Sequence, residues 1–349
     1  MKRLCLCLLA ACTSPQYQPV ELPWPVHVMA AGGDHLLVLT EAQGTTLDAG
    51  TVESDGPAIA LPEDPNTQEP IALDLPTATD VAVGYAHACV VAETQVQCWG
   101  DNSHGALGAH RACNTTGCVL GPDVMPTLPP VRAVAAGDDF TCATTLDDTV
   151  MCWGVDTHGE LGGSLVTALD PPLPVKTPDA KPLFVGRVVA ADSTACAIDR
   201  DKAAWCWGEG YGATPVRLPY SGVVDVAVNA DHGCVIASDG LTCWGDNLNG
   251  QIDATAARAC TTSDCSLPPT SIALPGAARV VVGARHTCAL AGGDVTCWGS
   301  NEHGQLARSD AFLVGDPAVA YSGVVDLVSA STHVCVQLAD HSAYCWGDP

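Results

Sequence analysis

The tripeptide Cys-Trp-Gly occurs six times in this chain of 349 residues, and another cysteine precedes each copy by nine or ten positions. Successive copies lie 54, 54, 37, 54 and 48 residues apart, which is typical of propeller blades and too long for most solenoid coils. Each copy therefore predicts a β-hairpin closed by a local disulfide. The predicted pairs are Cys89–Cys98, Cys142–Cys152, Cys196–Cys206, Cys234–Cys243, Cys288–Cys297 and Cys335–Cys345.

Residues 280–306 show the repeat clearly. Val280 to Val282 predict a first strand, His286 to Leu290 a second and Val295 to Trp298 a third, with Gly292-Gly293 as the hairpin turn. Residues 28–50 fit the same frame without its cysteines, since Leu37 and Asp48 occupy the two cysteine positions. Both cysteines are lost together, as expected of a bonded pair, and the count of predicted hairpins becomes seven.

A proline-bounded extended segment precedes each hairpin and suits an outer edge strand, which needs hydrogen bonds on one side only. The first such segment is Pro19 to Pro23, whereas the last hairpin, ending at Gly347, has none after it. We therefore expect the N-terminal segment to complete the last blade and close the ring, so that no sheet edge stays open.

The loop after the tryptophan carries a family resemblance. Gly299-Ser-Asn301-Glu-His-Gly304-Gln305-Leu306 and Gly245-Asp-Asn247-Leu-Asn-Gly250-Gln251-Ile252 are similar to the repeat of the regulator of chromosome condensation family. The resemblance implies an all-β, seven-bladed β-propeller over residues 19–349. Nucleotide exchange in this family depends on a protruding wedge and chromatin contacts depend on basic surfaces, and the sequence indicates neither. Secreted bacterial members bind other proteins, and that precedent fits better.

The first residues, MKRLCLCLLAAC, resemble a bacterial lipoprotein signal. The resemblance implies a signal peptide over residues 1–11, lipidation of Cys12 and a short tether over residues 12–18. We expect a protein anchored by lipid alone in the bacterial cell envelope, at the outer membrane or the cell surface. An ordinary secretory signal or a misassigned start codon are the alternatives.

Of the 19 cysteines, 16 lie beyond this leader, an even number that suits eight disulfides in an oxidising compartment. The two remaining pairs are Cys113–Cys118 and Cys260–Cys265, both Cys-x4-Cys. Zinc sites use Cys-x2-Cys pairs or histidines at ligand spacing, so we expect no metal.

Lys and Arg number 14 against 39 Asp and Glu, for a net charge of −25. Such a surface repels phosphate backbones, which argues against nucleic-acid partners. We expect a monomer without cofactors.

The histidines divide by position within the repeat. His35, His87, His232, His286 and His333 share one position, and His104, His158 and His303 share another. Residues reused from unit to unit are typical of scaffold rather than of a catalytic site. Recognised enzyme motifs are missing, and Gly208-Glu-Gly210-Tyr-Gly212 follows a Cys-Trp-Gly with no helix after it, so it does not indicate dinucleotide binding.

Function should therefore reside where the repeats differ. Arg111 with Asn114, and Arg258 with Thr261, belong to two similar disulfide loops that we expect on one rim; holding loops in place is the simpler reading of those disulfides. Asp138, Asp139, Phe140 and Tyr211 are the other candidates. The leading hypothesis is a noncatalytic protein-interaction module of the cell envelope. The alternatives are an envelope lyase or hydrolase with acidic residues at a central channel, and a calcium-stabilised glycan binder.

Overall fold

The computed structural model describes residues 2–7, 16–21, 26–32, 35–41, 72–73, 78–108, 119–125, 128–163, 172–253, 256, 265–308 and 315–347. Contacts divide the chain into two compact units. Unit 1 comprises Met1–Ala10 and His27–Pro219, and unit 2 comprises Ala11–Val26 and Tyr220–Pro349.

The regular secondary structure of the described residues is almost entirely β-strand. In chain order the first fourteen strands are β1 (Lys2–Cys7), β2 (Gln16–Glu21), β3 (Val26–Gly32), β4 (His35–Glu41), β5 (Ala72–Leu73), β6 (Ala78–Val83), β7 (His87–Ala92), β8 (Gln95–Asp101), β9 (Val119–Val124), β10 (Val131–Ala136), β11 (Phe140–Thr145), β12 (Val150–Gly154), β13 (Leu173–Pro174) and β14 (Val185–Ala191). The other fourteen are β15 (Thr194–Asp199), β16 (Ala204–Gly208), β17 (Gly212–Arg217), β18 (Asp225–Val228), β19 (His232–Ala237), β20 (Gly240–Asp246), β21 (Ser266–Ile272), β22 (Ala277–Val282), β23 (His286–Ala291), β24 (Asp294–Gly299), β25 (Gly315–Ser322), β26 (Val324–Ser329), β27 (His333–Leu338) and β28 (Ala343–Gly347).

Six antiparallel four-stranded sheets are propeller blades built from the Cys-Trp-Gly repeat, three in each unit. Blades 1, 2 and 3, in unit 1, are β6–β9, β10–β13 and β14–β17. Blades 4 and 5, in unit 2, are β18–β21 and β22–β25, and blade 6 joins β26, β27 and β28 to β2. Each blade has the predicted three strands of one repeat and an outer strand, which follows them in blades 1 to 5 and comes from the N-terminal segment in blade 6.

The prediction of seven blades is wrong, because residues 28–50 do not supply a seventh blade of this kind. The hairpin partner predicted for β4 lay at residues 46–50, which are outside the described residues, and β4 pairs instead with β1, Leu4 lying opposite Leu39. The sheet β3-β4-β1-β5 thus combines separated segments of the chain. A strand from the chain start takes the place of the repeat's own third strand, which is why counting repeats gave one blade too many.

The prediction that an N-terminal strand enters the last blade is confirmed. β2 pairs antiparallel with β28, with Val20 opposite Cys345 and Glu21 opposite Tyr344. Strand β1 lies in the segment assigned from the sequence to a signal peptide, while Cys12 and most of the tether lie outside the described residues.

Local disulfides close all six hairpins in the predicted pairing. In each, the two cysteines lie directly opposite on the second and third strands, with Cα atoms 4.1 to 4.2 Å apart. This is the short separation of a non-hydrogen-bonded antiparallel pair. Every one of these cysteines is buried, so the disulfides occupy core volume as well as linking strands.

Four of the six repeat tryptophans donate a hydrogen bond to the preceding blade. Trp153 Nε1 donates to Ala106 O at 2.8 Å, Trp207 Nε1 to Glu160 O at 2.8 Å, and Trp298 Nε1 to Gln251 O at 2.9 Å. Trp346 Nε1 donates to Gln305 O at 2.9 Å. Each acceptor lies seven residues after the previous tryptophan, so one repeated contact sets blade on blade within each unit.

The repeated asparagine fixes the loop that supplies this acceptor. Asn247 Oδ1 accepts Ile252 N at 2.9 Å, and Asn301 Oδ1 accepts Leu306 N at 3.0 Å. Asp156 replaces the asparagine in blade 2 and accepts Leu161 N at 3.1 Å. The Asn-x-x-Gly-Gln-Leu motif is therefore a loop-closing device.

The buried histidines also belong to the scaffold, as predicted. His87 Nε2 lies 2.9 Å from Thr141 Oγ1, and His232 Nε2 lies 3.0 Å from Thr287 Oγ1, in each case on the next blade. The two threonine hydroxyls donate to Ala106 O and Gln251 O, so they accept the histidine N–H. Burial lowers the pKa of His87 and His232 to about 4, which keeps both rings neutral.

Blade 6 keeps the hydrogen bond to the histidine of the preceding blade, although a different residue supplies the hydroxyl. Val334 stands where the threonine would be, and Ser329, its register partner on the adjacent strand, supplies the hydroxyl. Ser329 Oγ lies 2.9 Å from His286 Nε2.

Candidate partner-binding surface

One end of each blade carries residues that differ between repeats. The turn between the first and second strands lies beside the start of the loop that follows the third strand. Asp101 N donates to Ala86 O at 2.8 Å in blade 1, Val155 N to Asp139 O at 3.0 Å in blade 2, and Glu209 N to Ser193 O at 2.9 Å in blade 3. We call this end the turn rim.

The first turns of neighbouring blades pack closely in unit 1. A Cβ atom on Gly84 would lie 2.2 Å from Gly137 O, so only glycine permits this approach. Asp138 N also donates to Asp192 O of the next blade at 2.8 Å. The backbone of the turn rim is thus fixed by repeated contacts, while its side chains vary.

Asp138 and Asp139 lie together on the turn rim, as two members of the predicted set. Burial, followed by the nearby Asp192 and Asp139 carboxylates, raises the pKa of Asp138 to about 7. Asp139 Oδ1 lies 3.2 Å from His104 Nδ1, which comes from the loop of blade 1. The arrangement concentrates negative charge where a positively charged group of a partner would be stabilised.

Phe140 is part of the core and cannot serve as the predicted contact residue. It is fully buried and occupies the repeat position that His87 holds in blade 1. Its ring lies against Gly137, whose added Cβ would come within 2.0 Å of Phe140 Cε1. The sequence interpretation treated a departure from the repeat as functional, but here an apolar residue simply fills a core position.

Tyr211 lies on the same rim of unit 1, in the tight connection between β16 and β17. Its N–H donates to Gly208 O at 3.0 Å, and Gly208, Gly210 and Gly212 have φ of 93°, 80° and 87°. The glycine cluster thus lies in a strand-turn-strand connection and not in the strand-turn-helix unit of a dinucleotide fingerprint.

Most of the remaining predicted residues lie outside the part of the chain that the structure describes. Arg111, Asn114, Arg258, Thr261 and Cys12 lie outside the described residues, as do Cys113, Cys118 and Cys260. Cys265 is described and disulfide-bonded. The described flanks of the first loop, Gly108 and Val119, lie at the turn rim of blade 1.

Sequence reasoning missed Tyr85 and Asp192. Tyr85 is 45% exposed in the first turn of blade 1, beside Gly84, at the position that Asp138 holds in blade 2. A comparison of the first-turn residues across blades would have found both, because the two positions at the centre of this turn vary from blade to blade.

Over the part of the chain that is described, no group of three or more His, Cys, Asp and Glu side chains could hold a metal ion. Within the same residues, no helix is long and apolar enough to cross a membrane.

Family profiles for the regulator of chromosome condensation (RCC1) repeat match residues 78–106, 131–160, 223–251 and 278–305, and a second RCC1 repeat profile matches residues 95–144. Human E3 ubiquitin-protein ligase HERC2 is 30% identical over 232 residues, covering 60% of this chain and 5% of HERC2. The ultraviolet-B receptor UVR8 of Arabidopsis thaliana is 26% identical over 292 residues, covering 77% of this chain and 63% of UVR8. The chain thus spans less than two thirds of either relative.

Solved structures share the fold at low identity. Human WBSCR16 superposes with a TM-score of 0.69 at 16% identity, covering 99% of this chain and 88% of the other. Prp20p of Saccharomyces cerevisiae, studied for its binding to Gsp1p and histones, gives a TM-score of 0.69 at 18% identity, covering 95% and 83%.

Proposed function

This chain belongs to the RCC1-like repeat family, and from that premise we propose that it is a noncatalytic module that binds another protein through the turn rim of unit 1. The observation that carries the proposal is the position of the nonrepeated residues. This end of the blades carries Tyr85, Asp138, Asp139 and Tyr211, whereas the residues repeated from blade to blade make the contacts between blades.

The chemistry of this rim suits a protein partner. Aromatic side chains give large contact area at low entropic cost, and carboxylates on a pre-formed backbone give orientation. Relatives support the class of function, since Prp20p is described by its binding to Gsp1p and histones. A net charge of −25 favours a partner whose contact surface is basic.

We also propose that the protein is a lipid-anchored component of a bacterial cell envelope. The leader sequence ending at Cys12 and the buried hairpin disulfides support this location, because such disulfides persist in oxidising compartments. Cleavage before Cys12 would remove β1 from its pairing with β4. Labelled fatty acid should enter the wild-type chain and not Cys12→Ser when each is expressed in a bacterial host. Equal labelling, or recovery of Lys2 in the mature chain, would refute the anchor.

Affinity capture from envelope extract tests the binding role. Wild type is compared with Tyr85→Ala/Asp139→Asn and with a matched control, Asp294→Asn, in the exposed β23–β24 turn at the other end of blade 5. The proposal predicts that the double variant loses a partner that wild type and control both retain. Identical recovery by all three would refute it.

One observation favours an envelope enzyme as a second candidate. Asp138, with a pKa of about 7 beside two other carboxylates, has the titration expected of a general acid or base. An enzyme is favoured over the binding module if the wild-type protein turns over an envelope substrate and Asp138→Asn loses that activity while it still captures the partner.

A further inference from the structure

At the end opposite the turn rim, blades 2 and 3 of unit 1 differ in charge from the chain as a whole. We call this end the hairpin rim, because it carries the turns between the second and third strands of the blades. Seven of the chain's 14 Lys and Arg fall within residues 128–217, at this end of blades 2 and 3. They are Arg132, Lys176, Lys181, Arg187, Arg200, Lys202 and Arg217.

Strand direction places these cations together. β10 and β14 begin at the hairpin rim, β17 ends there, and Arg200 and Lys202 belong to the β15–β16 turn. Five carboxylates share this end, namely Asp147, Asp148, Asp179, Asp199 and Asp201. Counted over blades 2 and 3 alone, this end has a net charge of +2 in a chain of net charge −25. Asp80 of blade 1 adjoins it, since its carboxylate interacts with Arg187 and accepts Val134 N at 2.8 Å.

Two of the arginines are held in fixed positions. Arg132 donates to Asp148 Oδ1 at 2.8 Å and to the carbonyls of Val185 and Gly186 at 2.7 and 2.8 Å. Arg200 donates through Nε to Asp148 Oδ2 at 2.8 Å. One carboxylate thus orients two guanidinium groups and ties blade 2 to blade 3.

Apolar side chains are exposed beside these arginines. Phe184 is 43% exposed, and the guanidinium of Arg200 lies 5.5 Å from its ring centroid. Leu146, which is 57% exposed, belongs to the same turn as Asp148. Aromatic residues and arginine on a rigid base are typical of the energetically dominant part of a protein interface.

We propose that this surface, comprising Leu146, Phe184, Arg132 and Arg200, is a second docking site, and that it takes an acidic segment of a partner protein carrying an apolar residue. Charge complementarity selects such a segment: its carboxylates meet the net positive patch, and its apolar side chain covers Phe184 and Leu146. A short acidic peptide can contact the patch alone, and binding to an anionic membrane instead is one of the outcomes that the test distinguishes. This surface is separate from the turn rim proposed above.

The test uses fluorescence anisotropy with a short labelled peptide of Asp and Glu residues around a central Leu-Phe pair. Two comparison peptides replace Leu-Phe by Gly-Gly or replace the acids by Ser. Wild type should bind the first peptide at least about tenfold more tightly than either comparison peptide, corresponding to about 1.4 kcal/mol. The affinity should weaken as NaCl is raised from about 0.05 to about 0.3 M.

The variants assign the site. Phe184→Ser and Arg200→Gln should each weaken binding about fivefold or more, while Arg285→Gln, an exposed arginine of unit 2 paired with Glu302 at 3.7 Å, should leave it unchanged. Tyr85→Ala/Asp139→Asn should also leave it unchanged, which separates this site from the turn rim. Unaltered thermal unfolding shows that each variant is folded.

Three results would overturn the proposal. One is equal affinity for the acidic and serine peptides, and another is equal binding by Phe184→Ser and wild type. The third is binding to vesicles of phosphatidylglycerol with none to the acidic peptide.

Discussion

Two threonines on the same strand provide a direct test of the contact between blades 1 and 2. Thr141 and Thr144 both lie on β11 and both are fully buried. Thr141 donates to Ala106 O at 2.9 Å and accepts from His87 at 2.9 Å. Thr144 Oγ1 has no hydrogen-bond partner among the described residues. We therefore compare Thr141→Val with Thr144→Val.

The two substitutions differ in what they leave behind. Ala106 O keeps its bond from Trp153, but the N–H of His87, which is 1% exposed, loses its acceptor in Thr141→Val. An unsatisfied buried donor costs about 1–3 kcal/mol, and the added apolar group returns about 0.8 kcal/mol. We expect Thr141→Val to lower the free energy of unfolding by about 1–2 kcal/mol.

Thr144→Val removes a buried hydroxyl that has no partner to lose. The same apolar gain then acts without a penalty, so we expect unfolding to cost about 1 kcal/mol more than in wild type. The strand, the burial and the chemical change are shared, so the difference between the variants isolates the hydrogen bonds.

Guanidinium denaturation followed by tryptophan fluorescence, with disulfides intact, measures this difference. The expected separation of the two variants is about 2–3 kcal/mol in the stated order. Equal stability, or greater loss in Thr144→Val, would refute the assignment of Thr141 as a structural link between the blades.

Three further predictions concern the same scaffold. Asp138→Asn should raise the free energy of unfolding at pH 8 by about 4 kcal/mol, because the pKa raised from 3.8 to about 7 costs the folded state about 1.4 kcal/mol per unit. The stability of the wild type falls as pH rises from about 4 through 7, so the gain should vanish near pH 4, and a gain that persists there would contradict this. Cys288→Ala/Cys297→Ala should lower the free energy of unfolding by about 2.5 kcal/mol, because the disulfide closes a loop of sequence separation 9. Unchanged stability under matched oxidising conditions would argue against the disulfide as a stabilising link. Trp346→Phe should lower the free energy of unfolding by about 1 kcal/mol more than Trp99→Phe, because Trp346 Nε1 donates to Gln305 O whereas Trp99 Nε1 has no acceptor among the described residues. Thermal unfolding of the two variants measures the difference. Equal losses of stability would count against the tryptophan contact.

The repeat was enough to predict most of the blade architecture. Cysteine spacing gave all six hairpin disulfides, because a cross-strand pair nine or ten residues apart leaves room for one short turn. The proline-bounded segment at the N-terminus gave the outer strand of blade 6, since the last hairpin had no other partner. The first prediction depends on local geometry, and the second on matching one spare segment to the one hairpin that lacks an outer strand.

What failed depends on contacts between distant segments. Residues 28–50 have the spacing of a hairpin, but pattern matching does not show which strand pairs beside β4, and there β1 competes successfully. Phe140 failed for a related reason, because a residue that breaks the repeat can lie on the surface or replace a buried histidine, and only packing distinguishes the two.

The hairpin rim was missed entirely from the sequence. Its cations are spread over residues 132–217 and are brought together only by strand direction. The net charge of −25 does not reveal this cluster of cations, because it is summed over the whole chain.

The central claim is that repeated residues hold the blades and nonrepeated residues bind the partner. One experiment measures both properties, thermal unfolding and partner capture, for Thr141→Val and for Tyr85→Ala/Asp139→Asn. The account predicts that Thr141→Val unfolds at lower temperature but captures the partner normally at a temperature where it is folded, while the rim variant unfolds like wild type and captures nothing. Loss of capture by a fully folded Thr141→Val, together with normal capture by the rim variant, would contradict it.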